Sequence, residues 1–327
     1  MVNTDFKNLI EVSEYFADPI RANQYLIQLR WNGDITCAHC KHDKVYTLKG
    51  QGRYKCGSCK KLFSATKGTI FENSPIPLQK WFTAIYLIAS HKKGISSYQL
   101  ARDLSLTQKS AWFVLHRVRF ASQTGSFEFD KAGGIYEADE TFIGGKEKNK
   151  HQSRYAKNQK IEDERENKKL GIEPVRNMGR NVGSKTAVAG IVQRGGNVTA
   201  KVVRDTKSKT LIDHIKDNVE LGSTIVTDEW QSYKKLSIDF AHATVQHRLG
   251  EYVNGQFHTN SIEGFWAQLK RGIYGIYHHV SPKHLDKYID EFEFRYNTRK
   301  FTERDRFDKM LTMVSKRLTY AQLIANG

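Results

Sequence analysis

The chain has 327 residues, 39% of them hydrophobic, and carries a formal net charge of +17 with a sequence pI near 9.6. This length corresponds to about two domains and allows a substantial core. Such an excess of Lys and Arg favours a polyanionic partner such as nucleic acid, the alternative being a basic protein without such a partner.

Nothing in the sequence predicts a membrane-bound or secreted protein. The longest apolar run, "WFTAIYLIAS" from Trp81, is half of the ~20 residues that a bilayer-spanning helix needs. The N-terminus lacks a basic segment followed by an apolar one, so we expect no signal peptide. The four cysteines lie in one local cluster, which argues against a secreted disulfide framework. We therefore expect a cytoplasmic protein without a membrane partner.

The cysteines form the pattern C-x2-C-x15-C-x2-C: Cys37, Cys40, Cys56 and Cys59. Two such pairs, joined by a segment that is typical of a β-hairpin, supply the four thiolates of a closed tetrahedral zinc site. A shell of four cysteines leaves no open position, so we expect one structural Zn²⁺. Two disulfides and an iron site of similar geometry are the alternatives.

The segment after the cysteines predicts helices. Proline precedes apolar residues at helical spacing over about 78–90, which indicates a buried helix. Ser96 or Ser97 can cap a second helix. A tight turn is expected at Ser105 and Leu106, and Thr107 can then cap a third helix that runs through Phe120. These last two helices fit either a helix-turn-helix or an ordinary helical hairpin. In a helix-turn-helix the DNA-binding residues are Gln108, Lys109, Ser110 and Arg117.

From Gly133 onward the pattern changes to short strands with two helices. The predicted order is β-β-β-α-β-β-α, which is that of the α/β RNase H-like, or retroviral-integrase-like, fold. The first strand, within "YEADETFIGG", carries Glu137, Asp139 and Glu140. Because side chains alternate along a strand, Asp139 shares the inward face with Glu137, whereas Glu140 lies on the opposite face.

The fold expectation brings three distant acids together. The fourth strand, which ends at Asp228, is expected beside Asp139, and Glu263 lies on the helix after the fifth strand. Carboxylates gathered without cations repel one another and their pKa values rise. Two Mg²⁺ or Mn²⁺ ions bound by Asp139, Asp228 and Glu263 remove this repulsion and suit in-line phosphoryl transfer.

Four blocks of sequence carry a specific resemblance. They are the cysteine quartet, "EADETFIGGK", "VTDEWQSY" and "HTNSIEGFWAQLKRGIYGIYHHVSPKHLDKYIDEFEFRYN". Together they resemble the DDE transposases of bacterial insertion sequences, in the ISXO-type group with an N-terminal zinc ribbon. The resemblance implies binding to terminal inverted repeats, metal-dependent 3′-end cleavage and strand transfer at Asp139, Asp228 and Glu263. Parts of this family carry Asn or His at the third position, so Asn260, one helical turn before Glu263, is the alternative third ligand. It also implies DNA contacts from Lys270 and Arg271, association with the bacterial nucleoid, and a homodimer or larger assembly on double-stranded element ends and target DNA.

The predicted organisation has five parts: an N-terminal helical segment (1–30), the zinc ribbon (31–66), a helix-turn-helix region (67–125), the catalytic domain (130–300) and a C-terminal helical tail (301–327). A polar stretch at 146–185 is predicted to be a mobile basic insertion that closes on DNA, or else a solvated linker. Two other functions stay open: a nuclease of the same fold that cleaves without joining, and a catalytically silent DNA-binding regulator.

Overall fold

The computed structural model describes residues 6–48, 52–123, 133–144, 154–171, 185–246 and 253–325. The chain divides into two compact units. The first comprises Met1–Ser126 and Lys300–Asn326, and the second comprises Phe127–Arg299.

The first unit begins with two helices and a small antiparallel sheet. Their bounds are α1 Leu9–Tyr15, α2 Pro19–Trp31, β1 Val45–Leu48, β2 Arg53–Cys56 and β3 Leu62–Ser64. The strands pair in the order β1-β2-β3, and all pairs are antiparallel. Tyr54 and Phe63 are buried between the strands and the cysteines and pack against Trp31 of α2. The ribbon therefore has a small core of its own beside the thiols.

Three further helices follow: α3 Leu78–Ser90, α4 Ser97–Asp103 and α5 Gln108–Ser122. Both predicted caps are confirmed, because the Ser96 side chain accepts from the Gln99 amide and the Thr107 side chain from the Ser110 amide. The intervening turn includes Ser105 at φ 48°, a left-handed conformation that ends α4 sharply. The two helices are thus a short-turn pair, as predicted.

The second unit is built on a five-stranded mixed sheet with helices on both faces. In chain order its elements are β4 Ile135–Ile143, α6 Arg154–Lys169, β5 Thr186–Gln193, β6 Val198–Val203, α7 Ser208–Asn218, β7 Thr224–Asp228, a 3-10 helix Gln231–Ile238, β8 Ala241–Val245, β9 Val253–Asn254, β10 Phe257–His258, α8 Asn260–Gly272, a π-helical turn Ile273–Tyr277 and α9 Pro282–Asn297. The sheet order is β6-β5-β4-β7-β8. The pairs β4–β5 and β5–β6 are antiparallel, whereas β4–β7 and β7–β8 are parallel. The expected neighbourhood of the first and fourth strands is therefore confirmed.

Each face of this sheet has its own apolar core. On one face α7 and the 3-10 helix pack through residues such as Leu211 and Tyr233. On the other face α8 and α9 pack through residues such as Trp266 and Phe292. Because β5 is buried on both faces, its sequence is a nearly continuous apolar run, whereas β4 carries Glu137, Asp139 and Glu140.

Side chains of α9 cover the outer edge of β6. The backbone amides of Val198 and Val202 donate to the side chains of Asn297 and Asp286. The Ala200 amide, between them, donates to Glu293. These bonds satisfy the outward-facing donors of an edge strand, which would otherwise be free to pair with another strand.

Two predicted segments differ in the structure. Part of the polar stretch 146–185 is the helix α6, while residues 146–153 and 172–184 lie outside the described residues. The segment predicted as a separate tail contains α10 Glu303–Thr312 and α11 Tyr320–Ala325 and belongs to the first unit. Its Phe307 is buried against the rings of Phe16 and Phe82, so this segment completes the aromatic core of that unit. No helix among the described residues combines the length and apolar character that crossing a bilayer needs.

Candidate active site and zinc ribbon

The acids of β4 point to opposite faces of the sheet. The indole Nε1 of Trp266, on α8, donates to Asp139 Oδ2 at 3.0 Å. The hydroxyl of Tyr233, in the 3-10 helix, donates to Glu140 Oε2 at 2.8 Å. Since α8 and the 3-10 helix cover different faces, adjacent carboxylates of one strand have different surroundings.

Asp228 ends β7, and Asp139 lies in the middle of the neighbouring strand β4, just beyond the point where these two parallel strands stop pairing. The β4–β7 pairing runs from Ile135–Thr224 to Glu137–Val226, so the two aspartates stand in matching register two residues beyond the last pair. Carboxyl ends of parallel strands, where neighbours diverge, are the usual place for ligand sites in α/β folds.

Burial and like charges raise the pKa values of this acidic group. Burial raises the pKa of Asp139 well above its usual range, and the charges of Glu140 and Asp228 raise it further. Burial and the charge of Asp228 also raise the pKa of Glu140 to about 7, although the hydrogen bond from Tyr233 opposes this. Uncompensated negative charge of this kind is relieved by protons or by a cation. The donor set, which consists only of carboxylate oxygens, fits hard divalent ions such as Mg²⁺.

Glu263 and Asn260 lie in the first turn of α8, and both are exposed. The hydroxyl of Thr259 donates to Glu263 Oε1 at 2.8 Å. In the described part of the chain, only the four cysteines form a group of three or more His, Cys, Asp or Glu side chains that could hold a single ion. Glu263 is therefore not gathered with the two aspartates around one point, and the choice between it and Asn260 stays a prediction.

Of the two basic residues expected near the acids, Lys270 lies within their electrostatic reach. Burial lowers the pKa of Lys270, which is half-buried on α8, and the charge of Asp139 opposes this shift. Arg271 is exposed on the same helix. An ammonium beside the acids is suited to holding a phosphate near them.

The four predicted zinc ligands converge. Their sulfur atoms all lie within 4.8 Å of one another, with Cys37–Cys59 at 3.7 Å and Cys40–Cys56 at 3.6 Å. Zinc–sulfur bonds of ~2.3 Å at tetrahedral angles require sulfur separations of ~3.8 Å, so the quartet fits one Zn²⁺. Burial tends to raise the pKa of Cys56, but hydrogen bonds, chiefly from the amides of Cys59 and Ser58, lower it to about 6. For Cys59 the backbone hydrogen bond of Lys61 lowers the pKa, but burial and the other three thiols outweigh it and raise the pKa to about 11.

The helix α5 divides the predicted DNA-binding residues. Lys109 is exposed in its first turn, and Gln108 and Ser110 are partly exposed beside it. Arg117 is buried, and its guanidinium donates to the carbonyl oxygens of Ile70 and Leu318. The prediction that Arg117 contacts DNA is therefore wrong, because the side chain is used to satisfy backbone carbonyls inside the first unit.

The sequence interpretation missed several residues around Asp139. Trp266 contacts it directly, and Glu137 is fully buried beneath the start of α8. Gly190, opposite Asp139 on β5, leaves the space that the Trp266 ring fills. The sequence contains one indication that Glu137 belongs to the site: it is a charged residue two positions before Asp139, on the same face of the strand.

Two segments of the chain match known protein families. Residues 131–297, about half of the chain, match the ISXO2-like transposase domain, and residues 21–62 match the transposase zinc-ribbon domain. A relative from Halobacterium salinarum, described as an uncharacterized protein in transposable element ISH50, is 26% identical over 289 residues, which are 86% of this chain and 91% of the relative. No solved structure matches significantly. The chain belongs to the ISXO2-like DDE transposase family, with a transposase zinc ribbon ahead of the transposase domain.

Proposed function

We propose that the protein is a transposase that binds the terminal inverted repeats of an insertion sequence and catalyses 3′-end cleavage and strand transfer. The observation that carries this proposal is the register that places Asp139, in the middle of β4, beside Asp228 at the end of β7, just beyond the last pair of these parallel strands. Burial, and then the charges of Glu140 and Asp228, raise the pKa of Asp139. In a member of a transposase family, this acidic edge is the place suited to phosphoryl transfer on DNA.

The topology of the second unit supports an RNase H-like fold. Three antiparallel strands are followed by two strands parallel to the first, in the order β6-β5-β4-β7-β8, with helices on both faces. This arrangement agrees with the element order that the sequence predicts for that fold.

In this proposal Asp139, Asp228 and Glu263 hold two divalent ions, Mg²⁺ or Mn²⁺, and Asn260 is the alternative third ligand. Such ions supply activation of the attacking oxygen and stabilisation of the leaving oxygen. Trp266 orients the Asp139 carboxylate through its 3.0 Å hydrogen bond. Lys270, whose charge interacts with that of Asp139, holds a phosphate of the bound strand.

DNA recognition is assigned to the first unit. The start of α5, with Gln108, Lys109 and Ser110, is at least partly exposed and is therefore accessible to DNA. One Zn²⁺ on the four cysteines stabilises the ribbon, and the charge of +17 favours double-stranded DNA as the partner. We further propose that a homodimer or larger assembly brings two element ends together.

A cleavage and joining assay tests the proposal. Purified protein is incubated with Mg²⁺ and a plasmid that carries its own gene with flanking DNA, and nicks and new junctions are sequenced. Asp228→Asn removes a proposed ligand, and Asp213→Asn makes the same chemical change at an exposed position of α7. We expect wild type and Asp213→Asn to cut at repeat ends and form joints, and Asp228→Asn to do neither.

Other outcomes point to other functions. Nicks without joints favour a nuclease, and DNA binding without cleavage across Mg²⁺ and Mn²⁺ concentrations favours a silent regulator. Equal activity of Asp228→Asn and wild type contradicts the proposed site. Glu263→Gln and Asn260→Ala, tested separately, identify the third ligand. The variant that lacks this ligand is expected to need a higher Mn²⁺ concentration for cleavage than the other variant does.

A further inference from the structure

The carboxylate of Glu137 is fully buried between β4 and α8, and both of its oxygens accept hydrogen bonds. Oε2 accepts from the backbone amides of Ser261 and Ile262, at 2.7 and 3.1 Å. Oε1 accepts from the Ser261 hydroxyl at 2.9 Å, and the Arg194 guanidinium and His258 Nδ1 are each 3.2 Å away. A carboxylate has about four acceptor sites, so these donors occupy its capacity and leave none for a metal ion.

These bonds cap α8 from outside the helix. The residue before the helix, Thr259, forms no side-chain cap, and its hydroxyl donates to Glu263 instead. The first amides of a helix lack intrahelical partners, and a negative charge there also interacts favourably with the helix dipole. Glu137 supplies both the acceptor and the charge, although it lies 124 residues earlier in the chain than Ser261.

Arg194 extends the same connection to the segment before α8. It lies in the turn between β5 and β6, forms the ion pair with Glu137, and donates to the carbonyl oxygens of Gln256 and His258. The hairpin of β9 and β10, the start of α8 and the strand β4 therefore meet at one ion pair, in which Glu137 is buried and Arg194 is partly exposed.

We propose that Glu137 is a positioning residue that fixes the start of α8 against β4. This inference rests on the proposed function, because Glu263 and Asn260 lie in that first turn while Asp139 lies two residues along the strand from Glu137, on the same face. When the anchor is removed, the first turn of α8 frays or shifts. The third metal ligand then loses its position relative to Asp139, while the two aspartates keep theirs.

Variants of the anchor distinguish its acceptor from its charge. Glu137→Gln keeps an oxygen for the amides of Ser261 and Ile262 but loses the charge opposite Arg194, and Glu137→Ala loses both. Glu220→Gln, at an exposed position before β7, is the matched control. Arg194→Gln leaves a buried carboxylate without its cation, so the double variant with Glu137→Gln is expected to be less impaired than Arg194→Gln alone.

Two measurements do not depend on DNA cleavage. Hydrogen exchange of the full-length protein measures how well the amides of Ser261 and Ile262 are protected. We expect these amides to exchange fastest in Glu137→Ala, more slowly in Glu137→Gln and most slowly in wild type. Titration with Mn²⁺ alone, followed by the electron paramagnetic resonance of the free ion, reports metal affinity. We expect about 10- to 100-fold weaker Mn²⁺ binding in Glu137→Gln, as for the loss of other groups that orient metal ligands.

The Mg²⁺ dependence of cleavage completes the test. We expect Glu137→Gln to need about 10- to 100-fold more Mg²⁺ for half-maximal cleavage and to recover most of its rate at saturating metal. The inference is overturned if the amides of Ser261 and Ile262 exchange in Glu137→Ala as slowly as in wild type. It is also overturned if folded Glu137→Gln binds Mn²⁺ as tightly as Glu220→Gln does. A wild-type protein that binds Mn²⁺ but cuts no DNA contradicts the proposed function, whereas exchange and Mn²⁺ affinity still decide the role of Glu137.

Discussion

Gly190 and Trp266 provide a direct test of how the sheet face holds Asp139. Gly190 lies opposite Asp139 on β5, under the indole of Trp266. A methyl group at Gly190 would lie 2.6 and 2.7 Å from Cη2 and Cζ2 of that ring and 3.2 Å from Ile262 Cδ1. Favourable carbon contacts need ~3.5–4.0 Å, so Gly190→Ala forces the rigid ring to move by ~1 Å.

The expected magnitude has two parts. Overpacking a dense core destabilises by about 1–3 kcal/mol. Displacing the indole also weakens its hydrogen bond to the buried Asp139 carboxylate, and a buried polar group left without a partner costs about 1–3 kcal/mol. We therefore expect Gly190→Ala to lower the free energy of unfolding by about 2–6 kcal/mol.

Urea unfolding followed by circular dichroism measures this effect, and a second substitution tests its cause. Phe at position 266 lacks the two atoms that meet the added methyl group, so Gly190→Ala combined with Trp266→Phe is expected to lose less stability than the sum of the single variants, with a coupling of about 0.5–3 kcal/mol. Gly264→Ala is the matched control, because a Cβ there meets nothing within 4 Å and the helix gains about 0.5–1 kcal/mol. Unchanged stability of Gly190→Ala, or additive losses in the double variant, would refute this reasoning.

Three further predictions concern the ribbon and two buried acids. Cys40→Ser is expected to abolish binding of one Zn²⁺ per chain, measured by elemental analysis, and to unfold the ribbon; retained zinc contradicts a four-cysteine site. Burial raises the pKa of Glu72, but hydrogen bonds and charges, including that of Arg317, outweigh it and leave the pKa below its usual value. Glu72→Gln is therefore expected to lose about 1 kcal/mol at pH 7, a difference that disappears as the pH falls through the lowered pKa; an equal loss at all pH values contradicts this. Burial raises the pKa of Glu293 well above its usual range, so wild type should lose stability relative to Glu293→Gln as the pH rises above about 4.3. Gln keeps an oxygen for the Ala200 amide, and urea unfolding at pH 4.5 and 8 measures the change; parallel stabilities contradict it.

Local spacing predicted those features whose physics is local. The two C-x-x-C pairs fix their own ligand geometry, and the cysteine sulfurs meet as expected. Ser96 and Thr107 cap their helices because an Ncap side chain needs only the next turn. The pairing of the first and fourth strands followed from element order, which the alternation of apolar residues determines.

Features that depend on distant partners were not predictable in this way. Arg117 has the position of a DNA-facing residue in a recognition helix, yet its partners are carbonyl groups 47 and 201 residues away in the sequence. Phe307 lies in a segment with the pattern of a terminal amphipathic helix. The core that it completes, however, is formed by aromatic residues near the N-terminus. No periodicity within either segment specifies such contacts, because helical spacing indicates a buried face and not the element that covers it.

The three acids of β4 illustrate both sides of this limit. Strand alternation correctly separates Glu140 from Asp139 and Glu137, since it depends only on the backbone. It cannot distinguish Asp139 from Glu137, which share a face and a charge. Glu137 accepts three hydrogen bonds from Ser261 and Ile262 and forms an ion pair with Arg194, so that its charge is compensated within the protein. Asp139 instead faces the charges of Glu140 and Asp228. A compensated carboxylate suits an anchor and an uncompensated one suits a cation, so the surrounding charge is what distinguishes the two roles that we propose for these similar positions on one strand.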